Sequence, residues 1–303
     1  MDATLWKDYN IYYNILCFLI TENEKLFDKS DAKLYWTTIF HVFATLHHYY
    51  VGVYAANMKL GYSNHFDLDN LYRFKDGYLT GWNFLFQTIF LSLSLLYDVL
   101  EWLDKHHTDF GKKLQYYRDI TFSGLVVPFT LFISTMFWTV YSIDRELVFP
   151  EVYDQIVPWW FNHCVHTNIT IVVLVETILQ ARRFPRNRRL ELALVALVGV
   201  LYAIVYYSIY FLTHRWLYGV FGIMTWWQVC LYQLLIWAST FIFYFLQFPI
   251  NRIFHREDVA EEQKNTGVEK TTNAIEINGE GQSLPSKSWS LKYRAARSEN
   301  SKL

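Results

Sequence analysis

FWTVYSIDRELVFPEVYDQIVPWWFNHCVHTNITIVVLVE, residues Phe137–Glu176, places two apolar runs on either side of a charged, proline-marked connection. The second run, Gln155–Val175, has 21 residues without Asp, Glu, Lys or Arg. A helix of about 20 mostly apolar residues crosses the hydrocarbon core of a bilayer. The run therefore predicts a membrane span, and His163 and His166 lie inside it one helical turn apart. Titratable side chains are costly to bury at membrane depth, so the two histidines mark a candidate functional site.

Working outward, five further charge-free stretches appear: Leu34–Met58, Gly77–Tyr97, Ile120–Ile143, Leu192–His214 and Trp216–Asn251. The last is long enough to hold a loop and then a span near Trp227–Ile250. Tyr9–Ile20 has only 12 residues between charges, which suits an interfacial or buried segment better than a crossing. The acidic start and the lack of a small-residue cleavage site make it a poor signal peptide.

The basic residues orient the chain. With both ends cytoplasmic, 22 of the 27 Lys and Arg fall inside, and Lys59, Arg73, Lys75, Arg145 and Arg215 fall outside. Basic residues concentrate on the cytoplasmic side, so the chain reads N-in, C-in. The expected fold is an all-α membrane protein: a bundle of six transmembrane helices over 34–252. A cytoplasmic N-terminal arm (1–33) precedes it, and a polar, disordered cytoplasmic tail (253–303) follows. Arg182–Arg189 (RRFPRNRR) reads as a basic turn for topology and lipid head-group contact.

A multi-pass protein of the endoplasmic reticulum or plasma membrane fits this pattern. The chain also ends Ser301-Lys302-Leu303, the tripeptide of a peroxisomal address, whose plain alternative is coincidence in a tail. A net charge of −1 argues against nucleic acid as a partner and leaves membrane lipids. Cys17, Cys164 and Cys230 all sit in apolar segments and read as packing residues.

Thr80 lies in the first turn of span two and His166 about 12 Å along span four. A threonine hydroxyl is a weak nucleophile until a neighbouring base takes its proton, and imidazole does so near neutral pH. The pair is thus a candidate for ester cleavage, with helix capping as the plain reading of Thr80 alone. His163 and His166 share a helix face, yet no further ligand completes a metal set in that segment. Glu176 is expected to pair near the inner face with Arg118 or the Arg182–Arg189 run. Asp144-Arg145 is expected to form a loop salt bridge.

Longer patterns then accumulate: Tyr78-Leu79-Thr80 leading into Asn83–Phe90, Asp98-Val99-Leu100, Arg118-Asp119 and Pro128. Phe137-Trp138, Asp144-Arg145, Pro150, Asp154, Pro158, Trp160, Asn162-His163, His166-Thr167 and Glu176 follow, then Trp216 and Tyr218. Over about Leu34 to Asn251 the chain resembles the androgen-induced and androgen-dependent membrane protein family, multi-span threonine hydrolases of fatty-acid esters of hydroxy fatty acids. The resemblance implies Thr80 as nucleophile, His166 as base and a lipid ester as substrate; it adds nothing comparable for His163, which reads as a supporting or packing residue, and no cofactor or metal is expected. The chain departs from the pattern at Gly81-Trp82, Gly219 and Gln247-Phe248.

Aromatics such as Trp82, Phe86, Trp138, Trp159 and Trp160 suit either a lipid-chain tunnel or interfacial belts. Two rival functions stand beside the hydrolase. One is a non-enzymatic lipid-binding or regulatory protein. The other is a proton or metal carrier using His163, His166 and Glu176.

Overall fold

The computed structural model describes residues 29–182 and 188–256, and among them every regular element is helical. The long helices are α1 (Lys29–Ala56), α3 (Leu79–Trp102), α8 (Arg189–Thr213) and α9 (Trp226–Phe254). A short α2 (Phe66–Phe74) precedes α3. Helix α4 (Asp109–Thr121) runs through a π-helical turn, Phe122–Val126, into α5 (Val127–Ile143). Likewise α6 (Trp159–His163) runs through a π-turn, Cys164–Asn168, into α7 (Ile169–Leu179).

Local sequence accounts for the helix starts. The Thr108 hydroxyl accepts from Gly111 N–H to begin α4, and Thr225 with Gln228 forms a capping box for α9. Pro158 stands immediately before α6, where its missing N–H costs nothing. Single-turn π segments inside α-helices often mark functional sites, and the one at Cys164–Asn168 contains His166.

Among the described residues, four helices are long and apolar enough to cross a membrane: Phe66–Trp102, Asp109–Ile143, Arg189–Thr213 and Trp226–Phe254. They correspond to expected spans two, three, five and six. The helices at the first and fourth expected spans, α1 and α6–α7, are not among them, so length and composition mark four of the six expected spans. The reason is chemical. Helix α1 turns Thr37, His41, Thr45 and His48 inward, and α6–α7 turns Asn162, His166 and Glu176 inward, all buried. Both helices carry polar groups for their neighbours in place of apolar length.

Helix α4–α5 lies at the centre. Phe129, Phe132 and Ile133 pack with Leu79, Ile169, Val195, Tyr244 and Phe248, joining α3, α7, α8 and α9. Phe122 and Val126 pack with Ala44, Phe90 and Val172, drawing in α1. The outer faces of α8 and α9 expose Leu201, Ile204, Leu212, Leu234 and Ile242, which suits contact with lipid tails.

Lipid is as apolar as leucine, so close packing and interhelical hydrogen bonds hold such a bundle together. Gln87 of α3 is one hub. It accepts from His48 of α1 at 2.9 Å, and its amide donates to Thr130 of α5 and to the Ile169 carbonyl of α7. Such bonds contribute roughly 0.6–2 kcal/mol each in a membrane.

Helix α1 begins before the expected boundary at residue 33, and α9 continues past residue 252. Tyr9–Ile20, the centre of the basic turn (183–187) and the expected tail beyond Arg256, with its Ser301-Lys302-Leu303, lie outside the described residues.

Candidate active site

Thr80 is the second residue of α3, and its hydroxyl is not spent on capping that helix. Tyr78 occupies the cap position, and the Thr80 Oγ1 lies 3.3 Å from His166 Nε2. The two residues expected to work together therefore meet, although 86 positions separate them.

The imidazole is held on three sides. Asn162, four residues earlier on the same helix, faces Nδ1 with its backbone carbonyl at 3.1 Å and its side-chain oxygen at 2.8 Å. A carbonyl only accepts, so Nδ1 carries the proton and donates. The Nε2 lone pair then points at Thr80, as a general base requires. Phe137 stacks on the ring, with centroids 3.6 Å apart and planes within 10°. Asn162 is 4% exposed and His166 8%, so the assembly is shielded from bulk water.

Asn162 was missed as a functional residue at the sequence level. It sits four residues before His166, on the same helical face, and that spacing was the available signal. His163 does not join the pair. Its ring packs against Trp159 and Trp138, and its Nδ1 meets Thr167 at 3.1 Å, which gives it a packing role.

The pair opens onto an internal cavity of about 430 Å³, within the usual range for a small-molecule site. Its wall is mostly apolar, with Phe84, Phe132, Met136, Phe149 and Ile236 prominent. Beside His166, Lys75 and Asp76 are its charged lining residues. Trp82, Phe86, Trp138, Trp159 and Trp160 do not line it. Phe84 does, because it lies one turn beyond Thr80 on the same face of α3. Trp159 is 76% exposed, as an interfacial belt residue would be.

Tyrosine hydroxyls supply the cavity's polar spots. Tyr202 and Tyr218 pair at 2.9 Å, the Leu79 N–H donates to Tyr218, and Tyr78 lies 3.4 Å from Tyr153. Burial pushes the Tyr153 phenol up to about 12, so it stays a neutral hydrogen-bonding group throughout the working pH range.

Glu176 lies beyond reach of His166 and belongs to a separate buried network. It pairs with Arg182, as expected from the basic turn, and also with His41 Nε2 at 2.8 Å. The other His41 nitrogen meets Asp98 at 2.6 Å. Arg118 pairs with Asp119 rather than Glu176, and Arg182 bridges to Asp119 at 2.6 Å. The expected Asp144–Arg145 salt bridge is replaced by two contacts. Arg145 pairs with Asp154 at 2.9 Å, while Asp144 accepts from Glu146 N–H. The adjacent residues share a turn whose geometry turns their side chains apart.

The long apolar helices and the enclosed Thr–His–Asn arrangement define an all-helical, multi-pass membrane protein with a buried reactive-group cavity. Residues 36–252 match the family model for FAR-17a/AIG1-like protein, and the chain belongs to that family. It is 37% identical to the androgen-dependent TFPI-regulating protein of Mesocricetus auratus over 178 residues, 54% of this chain and 74% of the relative. Against the Homo sapiens protein of the same name the identity is 34% over 148 residues, 48% of this chain and 62% of the relative. The androgen-induced gene 1 protein of Homo sapiens is 27% identical over 146 residues, covering 46% and 61%. No solved structure matches.

Proposed function

We propose that this protein is an integral membrane hydrolase that cleaves fatty-acid esters of hydroxy fatty acids. The observation that carries the reading is the Thr80 hydroxyl 3.3 Å from His166 Nε2, at the wall of an apolar cavity. Thr80 Oγ attacks the ester carbonyl carbon while its proton passes to His166 Nε2. The bond to the alcohol oxygen then breaks, and the imidazolium returns the proton to the departing hydroxy fatty acid. A water molecule, deprotonated by the same nitrogen, attacks the acyl-threonine and releases the second fatty acid.

Asn162 keeps the proton on Nδ1 through both steps. The apolar wall suits acyl chains, and water-poor surroundings strengthen each of these contacts.

A second reading is a non-enzymatic regulatory scaffold. It is favoured by the relatives' names, which speak of TFPI regulation and specify no reaction. A fluorophosphonate probe on purified protein in detergent separates the two. Labelling that maps to Thr80, and is lost in Thr80→Ala and His166→Ala, supports the hydrolase. Well-folded parent protein that neither labels nor turns over lipid esters supports the scaffold. The membrane is an endoplasmic reticulum or plasma membrane in this reading, and imaging a chain lacking Ser301–Leu303 tests the peroxisomal alternative.

A further inference from the structure

At the far end of α3, about 33 Å from Thr80 at 1.5 Å per residue, the chain turns sharply through Asp104-Lys105-His106-His107 into α4. Asp104, His106 and His107 each offer a ligand atom, and these atoms lie within 4.8 Å of one another. Neighbouring histidines on a helix diverge by about 100° and make poor joint ligands. Here the helix has ended and Asp104 adopts the left-handed conformation, with φ 53°. The two imidazoles are thereby brought together, with centroids 3.7 Å apart.

The turn is also pinned from several directions. Asp104 N–H bonds the Glu101 carbonyl at 3.0 Å, and Lys105 N–H bonds the Leu100 carbonyl at 2.7 Å. The Thr108 hydroxyl donates to the Lys105 carbonyl and accepts from Gly111 N–H. Gly111 lies so close to the His106 backbone that a Cβ would sit 2.4 Å from the His106 carbonyl oxygen. The turn is thus preorganised largely by backbone contacts, with the His106 ring resting edge-on near Tyr97 at 6.4 Å, while the three ligand atoms face one another. One polar atom is left over: His106 Nδ1 is buried without a hydrogen-bond partner. Such an atom costs free energy until something satisfies it.

We propose that this turn binds one divalent transition-metal ion through the Asp104 carboxylate and one ring nitrogen from each of His106 and His107. Two imidazoles and one carboxylate suit ions of borderline softness such as Zn²⁺, and suit Mg²⁺ or Ca²⁺ poorly. Ligand atoms around tetrahedral zinc stand about 3.3 Å apart, given bonds near 2.0 Å, so modest side-chain rotations close the set. Solvent completes the shell. The site is independent of the hydrolase reading, because no residue is shared.

The test uses full-length protein in detergent, stripped with a chelator and titrated with Zn²⁺ by calorimetry and with Co²⁺ by visible absorption. One Zn²⁺ per chain is expected, with Co²⁺ giving ligand-field bands. Asp104→Asn, His106→Asn and His107→Asn should each weaken binding by about tenfold or more. Asparagine tolerates the left-handed conformation, and unchanged thermal melts would exclude unfolding as the cause. His47→Ala, which removes a histidine beside Cys164, should leave affinity as in the parent. Non-saturable binding by the parent would overturn the proposal, as would parental affinity in all three turn variants.

Discussion

Asn162 presents two oxygens to one nitrogen of His166, its backbone carbonyl at 3.1 Å and its side-chain carbonyl at 2.8 Å. The backbone oxygen is an acceptor whichever way the amide is turned, so the proton resides on Nδ1. The opposite nitrogen is therefore the free base that faces Thr80. One helical turn of spacing on a single segment thus selects the tautomer.

Because the backbone carbonyl survives substitution, Asn162→Ala should keep the tautomer while losing the stronger tether. The expected result is a fall in kcat of about tenfold with little change in KM, as for a loosened supporting contact. Steady-state hydrolysis of a lipid ester by folded variant and parent checks this.

Phe137 both fills the core and stacks on the base. Phe137→Ala should destabilise the protein by about 3–5 kcal/mol through the cavity it leaves. Phe137→Leu should cost less than about 1.5 kcal/mol, yet still lower activity, because no flat ring then confines the imidazole. Thermal melts alongside turnover separate the packing role from the positioning role.

The buried network sets three carboxylates, Asp98, Asp119 and Glu176, against Arg118, Arg182 and a His41 ring that faces a carboxylate at each nitrogen. With His41 donating from both nitrogens, the charges balance at three against three. Glu176→Gln breaks that balance and leaves a buried guanidinium short of its partner, which should cost about 3–5 kcal/mol. A drop in the detergent melting midpoint is expected. A Glu176→Gln protein as stable as the parent would show that the network carries no folding energy.

Tyr153 makes a prediction at alkaline pH. Its phenol rises from the usual value near 10 to about 12, chiefly through burial. The folded state then holds the proton more tightly than the unfolded state. Stability from this group is complete below pH 10 and is lost as pH rises toward about 12. The slope is about 1.4 kcal/mol per pH unit within that window. Tyr153→Phe should flatten this part of the decline, which melts recorded from pH 9 to 12 would reveal.

The six-span, N-in, C-in arrangement expected from the basic residues predicts that a glycosylation acceptor placed at residues 183–187 stays unmodified in microsomes. One placed in the 59–65 loop should be glycosylated. The reverse pattern would invert the topology.

Much of this molecule is legible without coordinates. Apolar runs between charges mark where helices lie, because the length needed to cross hydrocarbon is a local property. Thr80 and His166 stand out once the long Phe137–Glu176 pattern is recognised. Asn162 is equally legible at four residues from His166, although it does not titrate and so carries no charge signal of its own. The inward polar faces of α1 and α6–α7 were less legible. Hydropathy averages a helix over all its sides, whereas burial depends on which side meets a neighbour.

By itself, then, the sequence determined an all-helical, membrane-type chain and pointed to Thr80 and His166 as the candidate pair. The tertiary structure alone decided that Thr80 and His166 touch, that Phe84 rather than Trp82 lines the cavity, and that Glu176 serves His41 and Arg182 instead of the base. The physical reason is one of range. Periodicity and hydropathy act over a few residues. A hydrogen bond between residues 86 positions apart depends on how whole helix faces pack, and His166 makes it from within a π-turn.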